Sequence, residues 1–175
     1  MPQAQPTSSS AQPAALPLVM SRPLVVLQAL DTVSEALSTA REQQVHHFPV
    51  YGNGQLLGML CTCDLQEAGL DQPVAEVMRP AVTIPASRSA SDAALLMKAA
   101  DVGSVLVLDW NGRACGIVTR GDLNGEPPAE AILEDCRCEC CGTTHHLHRY
   151  EGRQLCFSCR ERAAEPAAFE TGGGD

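Results

Sequence analysis

The sequence predicts an α/β fold: two β-α-β-β-α repeats followed by a small domain held by cysteines. Three observations carry that reading. Shifted by 58 residues, Val19-Met20 falls on Val77-Met78, Ala36-Leu37 on Ala94-Leu95, Gly54 on Gly112, Gly58 on Gly116 and Asp64-Leu65 on Asp122-Leu123, with no gap. Inside each copy the apolar spacing passes from a helical period to short runs joined across Asn-Gly. Beyond copy two, six of the nine cysteines crowd between Cys136 and Cys159. A duplication of this kind builds two similar units to lie side by side. Chemistry between such units is more often a binding site than a reaction centre.

Each copy starts with a short extended piece, Leu24–Leu27 in one and Val82–Ile84 in the other. A helix follows, marked in copy one by Val33, Ala36, Leu37 and Ala40 on a single face. Asp31 or Thr32 caps it, with Glu35 closing a capping box; Ser89 and Asp92 do the same in copy two. Two strands come next, Val45–Tyr51 and Gln55–Cys61, joined across Gly52-Asn53-Gly54. Their counterparts, Ser104–Asp109 and Arg113–Thr119, join across Asn111-Gly112. Asn-Gly between apolar runs marks a hairpin because the turn needs positive φ. A short helix starting near Asp64 or Asp122 closes each copy. The expected organisation is a disordered tail over 1–17, repeats over 18–72 and 73–125, a cysteine-rich domain over 129–162 and a loose tail over 163–175. Gly125-Glu126-Pro127-Pro128 separates the repeats from the cysteines.

Composition narrows the partners. Apolar residues make up 45% of 175 residues and aromatics only 3%, so the core is Val, Leu, Ala and Met. The net charge of −9, with Lys98 the single lysine, repels nucleic acid and anionic membrane. A local arginine cluster still attracts a phosphate within a Debye length of ~8–10 Å. No apolar run approaches the ~20 residues of a membrane span. Met1–Ala15 has neither the basic start nor the apolar centre of an export signal. The sequence therefore reads as cytoplasmic, where clustered cysteines favour metal over disulfides.

The chemistry of the repeats concentrates at Gly116-Ile117-Val118-Thr119-Arg120-Gly121-Asp122-Leu123. An apolar strand ends in a hydroxyl, and a carboxylate follows three residues later at a helix start. That carboxylate either caps the helix, worth about 1 kcal/mol, or accepts two hydrogen bonds from a vicinal diol such as a ribose. The Thr119 hydroxyl reaches a phosphate or ribose oxygen, and Gly116 lets the backbone approach a flat base. Together with Val77-Met78-Arg79-Pro80 and Gly103-Ser104-Val105-Leu106-Val107-Leu108, this segment resembles a tandem pair of CBS domains over about Leu18–Asn124.

The resemblance implies a pseudo-twofold pair with clefts between the sheets that bind adenosine-containing ligands: AMP, ADP, ATP, S-adenosylmethionine or relatives. It implies a homodimer, and a regulatory sensor rather than an enzyme. Carried onto this chain, Asp122 holds the ribose diol and Thr119 faces ribose or phosphate. Thr83 and Ile84 border the base. His47, Phe48 and Pro49 contribute from across the cleft, and Arg120 and Arg79 stand nearest a phosphate. Copy one departs from the pattern, reading Gly58-Met59-Leu60-Cys61-Thr62-Cys63-Asp64. A thiol replaces the hydroxyl and is a poorer hydrogen-bond partner. One ligand site per chain is therefore expected, centred on copy two. Cys61 and Cys63 read as small, partly buried residues without redox function.

The tail offers Cys138-Glu-Cys140-Cys141-Gly142 and Cys156-Phe-Ser-Cys159. Two Cys-x-x-Cys turns complete a tetrahedral site, so Cys138, Cys141, Cys156 and Cys159 are the expected ligands. Cys136, Cys140, His145, His146 and His148 are spares. The segment resembles a zinc ribbon, with Zn²⁺ supplying the folding energy so small a segment lacks. A rubredoxin-type iron site is the alternative, disfavoured by sparse aromatic shielding. From Glu126 to Asp175, ten acidic residues face five arginines, net −5. That favours a protein partner over a nucleic-acid role as a transcription or translation adaptor. No pairing of general base and nucleophile is present, so no enzyme is expected.

Overall fold

The computed structural model describes residues 14–65, 68–134, 136–143 and 147–164. Most of both expected tails, and His145 and His146 among the spares, lie outside the described residues. The chain divides into two compact units, one running to Asp135 and one from Cys136.

The first unit holds both repeats. A short helix α1 (Leu16–Val19) precedes copy one, which comprises β1 (Leu27–Gln28), α2 (Val33–Gln43), β2 (His47–Gly52) and β3 (Gln55–Cys61). Copy two comprises β4 (Thr83–Pro85), α3 (Ala90–Ala100), β5 (Ser104–Leu108) and β6 (Ala114–Thr119). Each copy forms a three-stranded sheet with its middle strand parallel to the first and antiparallel to the third. The repeat extends to detail. The register slips at Val50/Tyr51 in one copy and at Val107/Leu108 in the other.

Local chemistry sets these elements as expected. Thr32 with Glu35, and Ser89 with Asp92, form complete capping boxes. Hydrogen bonds from the Thr32 backbone and side chain hold the Glu35 carboxyl below its ordinary range, and Ser89 does the same for Asp92. The copy-one hairpin turns through Asn53 and Gly54, both at positive φ (51° and 76°). In copy two only Gly112 is left-handed, and the Asp109 carboxylate ties the wider loop by accepting the Asn111 and Arg113 amides. The closing element of copy two is a single 3-10 turn, Gly121–Leu123, shorter than expected; in copy one the described residues 62–65 form a turn. In each, the carboxylate at the fourth position accepts a strand-end amide, Thr119 at 2.8 Å and Cys61 at 3.3 Å. These bonds bend the chain back toward the strand.

Two contacts extend the unit beyond the repeats. Residues 14–17, expected within the tail, are ordered: Leu16 is fully buried and Ala15 bridges to Ser89. Helix α4 (Ala129–Ile132), expected at the head of the cysteine-rich domain, belongs to the first unit; Lys98 on α3 donates to the Ile132 carbonyl at 3.3 Å.

The copies are laced by their leading segments. Ser21 pairs with Ile117 of copy two, and Arg79 pairs with Met59 of copy one. Both contacts are two-way backbone exchanges. Met59, Leu106 and Ile117 form the buried seam, with Leu24, Leu56, Ala81 and Ala114 packed against it. Copy one has its own core around Phe48, Val50, Leu60 and Val33.

The second unit is a hairpin, β7 (Leu147–Tyr150) and β8 (Arg153–Cys156), running into α5 (Phe157–Ala164). Glu151 and Gly152 take positive φ at its turn.

Candidate functional site

The copy-two corner is built around Asp122. One carboxylate oxygen accepts the Thr119 amide at 2.8 Å and the Thr119 hydroxyl at 2.7 Å. The other accepts the Ser21 hydroxyl at 3.0 Å. Asp122 and Thr119 are half-buried. A carboxylate accepts about four hydrogen bonds, so three are filled, and the exposed Ser21 bond is the exchangeable one. The Arg120 amide donates to the Gly103 carbonyl, and its side chain is buried (5% exposed) rather than solvated. His47 arrives from copy one: a Cβ at Gly103 would lie 3.6 Å from its Nε2.

The other expected residues are placed less uniformly. Thr83 is exposed on β4, while Ile84 is buried in the core and offers a cleft only its backbone. Phe48 is fully buried in the copy-one core, and Pro49 is buried beside it on β2. Of the trio His47, Phe48 and Pro49, His47 nears copy two, while Phe48 is spent on the copy-one core. Arg79 is committed elsewhere. It forms an ion pair with Asp64 of copy one at 2.7 Å, strengthened by an Nε bond at 2.9 Å. The glycines of the motif do not wait for a base. A Cβ at Gly58 would lie 2.6 Å from the Arg79 carbonyl, and one at Gly116 would collide with the Met20 sulfur. They make room for the leading segment of the opposite copy.

Ser21 is the residue that sequence reasoning missed. Its signal was there: it stands 58 residues before Arg79, so the two occupy equivalent places and each binds the carboxylate of the opposite copy. Copy one also has an open cleft of about 440 Å³ against α2, lined by Leu37, Ala40, Arg41, Gln44, His46 and Thr62. None of the expected ligand residues lines it.

In the second unit, Cys138, Cys141, Cys156 and Cys159 come together, with all four sulfurs within 4.8 Å of one another. A tetrahedron with Zn–S of ~2.3 Å has edges of about 3.8 Å; Cys141 and Cys156 stand 3.6 Å apart. The set fits a four-coordinate metal. Gly142, at φ 75°, closes the first turn, its amide donating to the Cys138 carbonyl at 2.8 Å. Glu139 splices that turn to β8: its amide donates to the Gln154 carbonyl, and its carboxylate accepts the Gln154 amide at 2.7 Å. Burial pushes the Cys138 thiol up, but the amides of Cys156, Cys141 and Cys140 outweigh it and bring the group to about 6. Burial and neighbouring thiols push Cys156 up to about 12. Arg162 donates to Cys159 Sγ at 3.0 Å. Among the spares, Cys140 is exposed and Cys136 is buried, and neither belongs to the four-sulfur group.

No helix among the described residues is long and apolar enough to cross a membrane. The family model described as CBS domain matches twice, over residues 17–71 and 74–126. The uncharacterized protein MJ1232 of Methanocaldococcus jannaschii is 32% identical over 95 residues, covering 53% of this chain and 32% of that one. The chain thus spans about a third of that relative. A CBS domain-containing protein of Dictyostelium discoideum is 32% identical over 124 residues, covering 60% of this chain and 85% of its own. Among solved structures, a CBS domain protein of unknown function from Thermoplasma acidophilum matches with a TM-score of 0.65 at 20% identity, over 75% of this chain and 85% of that one. The CBS pair of protein MJ0100, in complex with 5-methylthioadenosine and S-adenosyl-L-methionine, matches at 0.60 and 21%, over 65% and 95%. The cytosolic domain of the Mg²⁺ channel MgtE, in complex with ATP, matches at 0.54 and 30%, over 61% and 46%.

Proposed function

Because the chain belongs to the CBS-domain family, we propose that it is a regulatory sensor that binds an adenosine-containing ligand at the copy-two corner. The observation that carries this reading is the Thr119–Asp122 pair, a hydroxyl and a carboxylate locked together at 2.7 Å and half-exposed. Asp122 takes the ribose diol as Ser21 yields, Thr119 faces ribose or phosphate, and His47 closes from the other copy. Thr83 and the Ile84 backbone border the base, and Arg120 lends positive charge from below. That proteins of similar fold are solved with 5-methylthioadenosine, S-adenosylmethionine and ATP supports the ligand class. The protein works in the cytoplasm as a homodimer and catalyses no reaction.

The test is a thermal-shift screen of the full chain against AMP, ADP, ATP, S-adenosylmethionine and NAD. At least one adenosine compound raises the melting temperature of wild type and not of Asp122→Ala. No shift with any of them would overturn the sensor reading.

The cysteine-rich unit is a zinc ribbon that docks a protein partner. Cys138, Cys141, Cys156 and Cys159 hold the ion, whose role is to fold the segment. A purified protein carrying one zinc per chain and no visible absorption is expected; a red, redox-active protein would substitute a rubredoxin-type iron site.

A further inference from the structure

Cys61 and Cys63, read from the sequence as small, partly buried residues without redox function, are partly buried and stand in contact. Their sulfurs lie 3.0 Å apart, and the Cys63 amide donates to Cys61 Sγ at 3.5 Å. Both residues are half-buried, so a small reagent reaches them. They flank Thr62 in the turn that ends β3, and residues two apart cannot separate their Cα atoms by more than about 7 Å. That lies at the edge of the window a disulfide accepts. The hydrogen bond between the sulfurs, then burial, pushes the Cys63 thiol up. Copy two has nothing equivalent: the same positions are Thr119 and Gly121.

We propose that Cys61 and Cys63 form an oxidisable dithiol, a modification site at the copy-one carboxylate whose oxidant is a low-molecular-weight disulfide. One thiol loses its proton and attacks the reagent RS–SR. That S–S bond breaks, a mixed disulfide forms, and RS⁻ leaves and takes a proton. The second thiol then attacks the protein-side sulfur and expels the other RS⁻, which is protonated in turn. The protein loses two hydrogens and two molecules of RSH appear. Closure draws the sulfurs from 3.0 Å to ~2.05 Å. It acts on the turn that carries Asp64, whose carboxylate is held by the Cys61 amide and Arg79. Oxidation thereby resets the copy-one corner and leaves the copy-two corner chemically unchanged.

The proposal is independent of any nucleotide, and so is its test. The full-length reduced protein is treated with glutathione disulfide, remaining thiols are blocked with iodoacetamide, and tryptic peptides are weighed. The peptide Glu42–Arg88 contains Cys61 and Cys63 and no other cysteine. It is expected to lose two hydrogens and carry neither glutathione nor alkyl, reversibly with dithiothreitol. Because the second step is intramolecular, closure is expected to run at least roughly tenfold ahead of adduct formation at the solitary Cys115. Cys63→Ser, or Cys63→Ala should the serine misfold, is expected to trap one glutathione on Cys61. Two alkyl groups, or two glutathiones, on the wild-type peptide would overturn the proposal.

Discussion

Two carboxylates in equivalent positions meet different company. Asp122 in copy two is held by its own strand-end threonine and by the neutral hydroxyl of Ser21. Asp64 in copy one has a thiol where that threonine stands and is clamped by the Arg79 guanidinium. A hydroxyl partner leaves a carboxylate its charge and lets a diol exchange in. A guanidinium offsets its charge and takes one carboxylate oxygen with two N–H groups, while the Cys61 amide takes the other. Duplication thus preserved the frame while four side chains set different partners around the two carboxylates.

The largest expected effect tests that asymmetry directly. Asp122→Ala removes charged hydrogen bonding worth in all about 1.5–3 kcal/mol net of the Thr119 and Ser21 bonds it displaces, so affinity for the adenosine ligand falls by roughly 10–100-fold in calorimetry. Asp64→Ala leaves it within about twofold of wild type. Equal losses would erase the distinction between the corners. The converse is to convert copy one. Cys61→Thr with Arg79→Ser rebuilds the copy-two arrangement, and titration is expected to show two ligands per chain in place of one.

Smaller effects sharpen the comparison through packing. Gly58→Ala drives a methyl onto a backbone carbonyl, which cannot step aside, and is expected to cost about 2–3 kcal/mol in urea unfolding. Gly116→Ala meets the flexible end of Met20 and is expected to cost about 1 kcal/mol. The reverse order would mean that the leading segments are not held as described. The caps are where the copies agree, and the effect is smallest. Ser89→Ala is expected to cost about 1 kcal/mol. Both capping carboxyls titrate below their unfolded values of 4.5 for Glu35 and 3.8 for Asp92. Their stabilisation is therefore complete above those values and is lost as pH falls through the lower folded ones. The melting temperature is expected to drop below about pH 4, and Glu35→Gln with Asp92→Asn to flatten that drop.

Much of this was legible beforehand because it is local. Capping boxes, the Gly54 turn and Cys-x-x-Cys spacing all act within four residues, and the sequence displays them without folding. Strand Gln55–Cys61 coincides with its expected bounds for the same reason. The misses are long-range. Ser21 and Arg79 lie 101 and 15 residues from the carboxylates they bind, on the opposite copy's side of the seam. Phe48 and Ile84 belong to expected binding strands, yet alternation turns them into the core. The copy-two closing helix is only a 3-10 turn, because the Asp122 side chain reaching back to the strand end competes with helical hydrogen bonding.

By itself the sequence determined the repeat, the order of strands and helices, the caps and turns, and the four cysteines of one set. These follow from backbone preference and spacing, which the chain carries wherever it goes. Only the tertiary structure decided that Arg79 serves Asp64, that Ser21 serves Asp122, that the glycines admit methionine and that Cys61 touches Cys63. Those contacts arise where one copy's leading segment pairs with the other copy's last strand, or where a turn aims its side chains. Neither is a property of spacing alone.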